Sequence, residues 1–151
     1  MTEEAGSRKV QVLLVEDNPA DVELLRMALK NAGVDCELTV LEDGAEALAL
    51  VRQRENDARA PILDLAVLDL NLPKHGGLEV LEAMRASRAF AGTRVAILSS
   101  TSSPRERTMI DAFGVDRFIT KPLDLDEFLR IGLTLKALLA ECRCDGPAPV
   151  T

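Results

Sequence analysis

Four short apolar runs, each handing over to a polar group, constrain this chain more than any other feature. Val10-Gln11-Val12-Leu13-Leu14-Val15 leads into Glu16-Asp17, and Leu65-Ala66-Val67-Leu68 leads into Asp69. Arg94-Val95-Ala96-Ile97-Leu98 leads into Ser99, and Arg117-Phe118-Ile119-Thr120 leads into Lys121-Pro122. A strand that reads as a near-continuous apolar run is buried on both faces, as in a parallel sheet covered by helices. Ligands on such sheets bind outside the carboxyl ends of the strands. The four runs therefore predict one sheet edge that gathers three carboxylates, one hydroxyl and one ammonium.

The segments between the runs carry helical signals. Asn18-Pro19 places a cap and a first-turn proline ahead of Val22, Leu25, Met27 and Leu29, and Asn31-Ala32-Gly33 ends that helix. A second strand, Cys36 to Leu41, precedes Asp43, the cap of a helix whose apolar stripe is Ala45, Leu48, Ala49 and Val51. The charged stretch Arg52 to Pro61 predicts a loop. A third helix follows Gly76-Gly77 with Leu78, Val80, Leu81 and Met84, and a fourth runs from near Pro104 to about Phe113-Gly114. Asp124 and Glu127 have the spacing of a capping box. They open a fifth helix carrying Leu125, Phe128, Leu129, Ile131, Leu133 and Leu138. The alternation predicts an α/β fold, a doubly wound five-stranded parallel sheet with five helices. The 151 residues fit one domain, expected over 9–141, with 1–8 and 142–151 as flexible termini.

Bulk properties exclude several classes of function. The net charge is −7 and the pI about 4.8, which argues against sequence-independent nucleic-acid binding, a task that needs a basic footprint. No apolar stretch approaches the roughly 18 residues of a membrane span, and no signal peptide precedes Val10. The expected location is cytoplasmic, with no membrane partner. Cys36, Cys142 and Cys144 are an odd set and make no disulfide framework. Cys142-Arg143-Cys144 lacks the further ligands a zinc site needs. His75, the one histidine, falls in the turn Pro73-Lys74-His75-Gly76-Gly77 and is expected at the surface.

The ordered set Glu16-Asp17-Asn18, Leu68-Asp69-Leu70-Asn71-Leu72-Pro73, Leu98-Ser99-Ser100 and Lys121-Pro122 resembles the receiver domain of two-component response regulators. Ser99 lies 30 residues past Asp69, and Lys121 lies 22 past Ser99. Both spacings are similar to the family's, and the resemblance covers Lys9 to Leu139. It implies the flavodoxin-like strand order 2-1-3-4-5. It also implies phosphorelay signalling, with Asp69 accepting a phosphoryl group from a sensor histidine kinase or a phosphotransfer protein. An aspartate that attacks phosphorus becomes an acyl phosphate. By the same resemblance Glu16, Asp17, Asp69 and the backbone carbonyl of Asn71 hold Mg²⁺. Lys121 contacts a phosphoryl oxygen, and its bond to Pro122 is cis. Ser99 donates its hydroxyl to the phosphoryl group, and Phe118 is the switch aromatic. Asn71 and Thr101 occupy positions that help set the lifetime of the acyl phosphate. The run Val15-Glu16-Asp17-Asn18-Pro19-Ala20-Asp21 resembles a subgroup of small stand-alone receivers, several of them paired with phytochrome-type sensor kinases.

Two other readings compete. A haloacid-dehalogenase-like phosphatase also uses Mg²⁺ and an aspartyl phosphate, but it needs an acid two residues after its nucleophile, where this chain has Asn71. Its nucleophile also lies on the first strand, whereas Asp69 ends the third. A pseudo-receiver scaffold that takes no phosphate is opposed by the intact set Asp17, Asp69, Ser99 and Lys121. The expectation is thus a single-domain receiver that is a phosphoacceptor and not an enzyme. A DNA-binding output would need about 60 to 100 further residues. Signal would leave through protein contact on the face carrying Arg105, Arg107, Asp111, Arg117, Asp126, Glu127 and Arg130. Mixed charges suit a self-complementary patch, and a homodimer through this face is expected.

Overall fold

The computed structural model describes residues 9–57, 59–60, 62–72, 76–100 and 103–141. Strands β1 (Val10–Val15), β2 (Cys36–Leu41), β3 (Leu65–Asp69), β4 (Arg94–Ser99) and β5 (Arg117–Thr120) form one sheet. The strand order is β2-β1-β3-β4-β5, and every pairing is parallel. Helices α1 (Pro19–Asn31), α2 (Gly44–Glu55), α3 (Gly77–Ala86) and α4 (Pro104–Ala112) are the crossovers. The expected fifth helix is divided at Arg130 into α5 (Leu125–Leu129) and α6 (Ile131–Ala140). Arg130 keeps helical dihedrals, φ −69° and ψ −16°, so the division is a local tightening and not a change of path. A short 3-10 turn, Arg88–Phe90, lies between α3 and β4 and buries Phe90.

Both faces of the sheet are covered, which explains the unbroken apolar runs. Alternate side chains of β1 serve different cores. Leu13 and Val15 pack with Ala47, Val51, Val80, Leu81, Met84 and Ile110 from α2, α3 and α4. Val12 and Leu14 pack with Leu25, Leu29, Phe128, Ile131, Leu135 and Leu138 from α1, α5 and α6. The central strand β3 is buried at all of its positions, Asp69 included.

The helix starts follow from local chemistry. Asn18 accepts from the Ala20 N–H with Pro19 at the first turn, and Asp43 accepts from the Glu46 N–H. Ser103 and Glu106 close a full capping box on α4. Asp124 accepts from the Glu127 N–H.

Several sequence expectations are corrected. α2 runs on to Glu55 through residues assigned to a loop, because Arg, Gln and Glu are good helix formers and basic side chains suit a helix C-terminus. Its buried face is Gly44, Ala47 and Val51, and Ala49 is exposed. On α1 it is Ala28, not Met27, that faces the core, as the 3.6-residue period from Val22 and Leu25 requires. Leu125 and Leu133 are exposed, while Leu135 and Leu138 are buried. No helix among the described residues is long and apolar enough to cross a membrane.

α6 approaches α1 closely because Gly132 has no side chain. A Cβ there would run into the carbonyl of Ala28, and it would lie 3.2 Å from the Ala32 Cβ. Replacing a helical glycine by alanine gains roughly 0.5–1 kcal/mol of helix propensity. Overpacking costs about 1–3 kcal/mol, and a backbone carbonyl yields only if a whole helix shifts. The clash therefore wins. Gly132→Ala should lose about 1–2 kcal/mol in urea denaturation. Gly92→Ala, where a Cβ meets nothing within 4 Å, should change stability by less than about 0.5 kcal/mol. A Gly132→Ala protein as stable as wild type would show that the two helices are not in backbone contact.

Candidate functional site

The carboxyl ends of β1, β3, β4 and β5 meet at one edge, and the polar residues that end them converge there. Glu16 follows β1, Asp69 ends β3, Ser99 ends β4 and Lys121 follows β5. The register fixes their heights: Val15 pairs with Leu68, Asp69 with Leu98, and Ser99 with Thr120. Lys121 donates its own N–H to the Ser99 carbonyl at 2.8 Å, which extends the ladder one step into the site. Carboxylate oxygens of Glu16, Asp17 and Asp69 all lie within 4.8 Å of one another. Glu16 and Asp69 are buried and Asp17 is exposed.

The loops after the strands hold these groups in place. Asp69 Oδ1 accepts from the Asn71 N–H at 3.1 Å. The Asn71 side-chain amide donates to Ser99 Oγ at 3.2 Å, joining the loop after β3 to the end of β4. Glu16 Oε2 accepts from the Asn18 N–H at 3.1 Å. Gly77 lets α3 seat directly against the strand, since a Cβ there would collide with the Asp69 carbonyl. The sequence marks Gly76-Gly77 as a helix start. That the second glycine sits against Asp69 is visible only in three dimensions.

Lys121 is the centre of the charge pattern. Its Nζ lies 2.8 Å from Glu16 Oε1, 2.8 Å from Asp21 Oδ2 and 3.4 Å from Asp69 Oδ2. Burial alone would push this ammonium's pKa down, but hydrogen bonds to Asp21 and Glu16 and the charge of Asp69 outweigh it and hold the pKa above the ordinary lysine value. Glu16 responds in the opposite sense. Burial pushes its carboxyl up to about 7, against the lowering effects of Lys121 and the Asn18 N–H. A cavity of about 380 Å³ opens over the cluster, lined by Glu16, Asp17, Asp21, Asp69, Lys121 and Phe128 among others.

Each sequence-derived candidate can now be placed. Glu16, Asp17, Asp69, Ser99 and Lys121 come together at the edge. Asn71 joins them through its backbone N–H and its side-chain amide. Phe118 on β5 is half-buried and packs on the α2–α3–α4 side. The Arg107 guanidinium lies over its ring, 3.9 Å from the centroid. Thr101, His75, Cys142 and Cys144 lie outside the described residues. The Lys121–Pro122 peptide is trans, against the cis form expected, since no cis bond occurs among the described residues. Trans is the isomer an X–Pro bond prefers by about 0.5–1 kcal/mol. Asp21 was not among the expected site residues. The signal was its place in the first turn of α1, one turn beyond Asp17, which puts both acids at the same end of the helix.

This fold and edge constellation define an aspartate-centred receiver. The chain belongs to the response regulator receiver domain family, whose model matches residues 12–131. It is 34% identical over 133 residues to response regulator Rcp1 of Synechocystis sp., a match covering 87% of this chain and 88% of Rcp1. The structure of the phosphorylated cyanobacterial phytochrome response regulator RcpA superposes with a TM-score of 0.78 at 33% identity, over 89% of this chain and 96% of that one. The Mn²⁺-bound form of Rcp1 superposes with a TM-score of 0.77 at 28% identity, over 93% and 99% of the two chains. As members of this family, receivers work with histidine kinases or phosphotransfer partners in signalling.

The raised carboxyl of Glu16 has a consequence for the metal-free protein. Between the ordinary glutamate value of 4.5 and about 7 the folded protein keeps a proton that the unfolded chain has lost. The unfolded state then binds fewer protons, so this group makes stability fall as pH rises through that window. In urea titrations in EDTA at pH 5, 6, 7 and 8, wild type should lose stability with pH more steeply than Glu16→Gln. Parallel pH profiles for the two proteins would show that Glu16 ionises normally in the fold.

Proposed function

We propose that the chain takes a phosphoryl group onto Asp69 from a sensor histidine kinase or a phosphotransfer protein and passes the signal on by protein contact. The observation that carries this reading is the convergence of Asp69 with two further carboxylates, a hydroxyl and an ammonium on one sheet edge. A carboxylate oxygen of Asp69 forms a bond to phosphorus while the bond from phosphorus to the donor's histidine nitrogen breaks. The product is an acyl phosphate. Lys121, 3.4 Å from Asp69 Oδ2, is close enough to balance charge on a phosphoryl oxygen. Ser99, one strand away, offers its hydroxyl to the same group.

The donor set fits a hard divalent cation. Magnesium takes oxygen ligands and combines one or two carboxylates with substrate phosphate. Asp17, Asp69 and the Asn71 carbonyl would hold it directly, and Glu16 through its longer side chain. Bound Mg²⁺ supplies positive charge that offsets the negative charge of the transferring phosphoryl group. Mn²⁺ in the related Rcp1 structure supports such a site here. In this reading the chain assists its own phosphorylation and dephosphorylation and turns over no second substrate. The similarity to Rcp1 and RcpA supports a stand-alone receiver, cytoplasmic, with a kinase of the phytochrome type as donor.

The signal leaves through α4, β5, α5 and α6. Drawing Ser99 toward the phosphoryl group frees space beside β5, and Phe118 turns into it and away from Arg107. Met109, Leu125 and Leu133 are exposed on these helices, and Leu123 is exposed in the loop between β5 and α5. Together with the mixed charges there, they suit a contact between two copies of the chain. The net charge of −7 favours protein partners over nucleic acid.

Incubation with acetyl phosphate and Mg²⁺, followed by borohydride trapping and peptide mapping, should place the label on Asp69. EDTA or Asp69→Asn should remove it. Asp69→Asn labelled to the wild-type level would rule out Asp69 as the acceptor. Sedimentation of the phosphorylated sample at micromolar concentration should show a larger dimer fraction than the untreated protein. A monomer in both states would reject self-association as the output.

A further inference from the structure

A lysine ammonium has three N–H donors and no acceptor. In this structure Lys121 Nζ donates to Asp21 and Asp69 and forms a close ion pair with Glu16. The approach to Asp69, 3.4 Å, is the longest of the three. Glu16 and Asp69 belong to the acidic cluster suited to a cation, and Asp21 does not. Asp21 is thus the partner of Lys121 that a bound cation would leave in place.

A first-turn aspartate has an ordinary explanation, since negative charge is favoured at a helix N-terminus. That explanation leaves Asp21 pointing at water. Instead its side chain is only 19% exposed. Its Oδ2 makes a short charge-assisted bond to a lysine 100 residues away, inside the cavity over Asp69.

We propose that Asp21 is a positioning residue that competes with the phosphoryl group for Lys121. The inference rests on the receiver reading of Asp69 and goes beyond it. Asp21 draws the ammonium toward α1, so a phosphoryl group on Asp69 must take one N–H from a carboxylate already bound. Asp21 also adds a negative charge beside an incoming anion. Both effects act in one direction: Asp21 weakens phosphoryl binding and slows phosphorylation. Removing the charge while keeping the shape, as in Asp21→Asn, tightens the site.

The test measures beryllofluoride binding in Mg²⁺ by amide NMR, together with the rate of phosphorylation by acetyl phosphate over a range of its concentrations. Asp21→Asn should bind beryllofluoride about five- to tenfold more tightly, because a competing charge-assisted bond to Lys121 is lost. It should also reach half-maximal phosphorylation at lower acetyl phosphate. Asp21→Glu, which keeps the charge, should stay within about twofold of wild type. In the Lys121→Ala background, Asp21→Asn should gain less than about twofold, because the group competed for is gone. The Lys121 ammonium signal in the metal-free protein should shift in Asp21→Asn. Wild type that binds beryllofluoride normally, with Asp21→Asn equal or weaker, would overturn this proposal alone. A full gain in the Lys121→Ala background would assign the effect to general charge and overturn the competition. Wild type that binds no beryllofluoride would overturn the receiver reading and this inference with it.

Discussion

The ammonium of Lys121 stands among the carboxylates of Glu16, Asp21 and Asp69, with Asp17 beside them, and the functional end of the molecule depends on that balance. Two like charges about 5 Å apart repel by roughly 3 kcal/mol at an effective dielectric of about 20. Water reaches Asp17, but Glu16 and Asp69 are buried, and there the repulsion is least screened. One ammonium relieves part of it. The proton that Glu16 keeps up to about pH 7 relieves more. A divalent cation would relieve the remainder. The same imbalance that makes the corner costly to fold makes it ready to bind metal and, through the metal, a phosphoryl group.

The sheet makes this corner possible. Five parallel strands bring residues from far apart in sequence to one height. The two cores above and below the sheet hold the strands in register. A one-residue slip in β3 would turn Asp69 to the other face of the sheet and send Leu65 and Val67 into the core built for Ala66 and Leu68. At the opposite end of the strands another acid anchors the frame. Asp116 accepts from the Val95 N–H at 2.8 Å and pairs with Arg85 and Arg94. Asp64 accepts from the Gln11 N–H at 2.8 Å, joining β1 to the start of β3. These acids are satisfied by single hydrogen-bond networks, whereas those at the carboxyl edge crowd one another. That difference separates a structural end from a functional one.

Much of this was legible in the sequence, for definite reasons. Strands buried on both faces leave an unbroken apolar signature, so β1, β3 and β4 were visible as runs, and the residues ending them were the site. Asn18-Pro19 and Asp43 fixed two helix starts through their capping chemistry. The strand order came from the family resemblance and agrees with the structure. What stayed hidden depended on distance across the fold. Asp21 is not singled out by any pattern in the sequence, and only the fold sets Lys121, 100 residues away, beside it. Gly77 marks a helix start in the sequence, but its seat against the Asp69 carbonyl, like that of Gly132 against α1, exists only in the folded chain. Val22, Leu25, Leu29 and Val51 are buried as expected, while Ala28 and Ala47 were missed because a small buried residue does not stand out in a hydrophobic pattern.

The most direct test of this account is thermal unfolding of wild type and Asp17→Asn with and without Mg²⁺. At about one hundred times Kd, a bound ion adds about 2.7 kcal/mol to the folded state. For a chain of this size that is a rise in Tm of about 5–10 °C. Wild type should show that rise. Asp17→Asn should show almost none, and without metal it should melt no lower than wild type, since one repelling charge is gone. An equal Mg²⁺ shift in both proteins, or none in wild type, would contradict the claim that crowded carboxylates at this edge are a site for a cation.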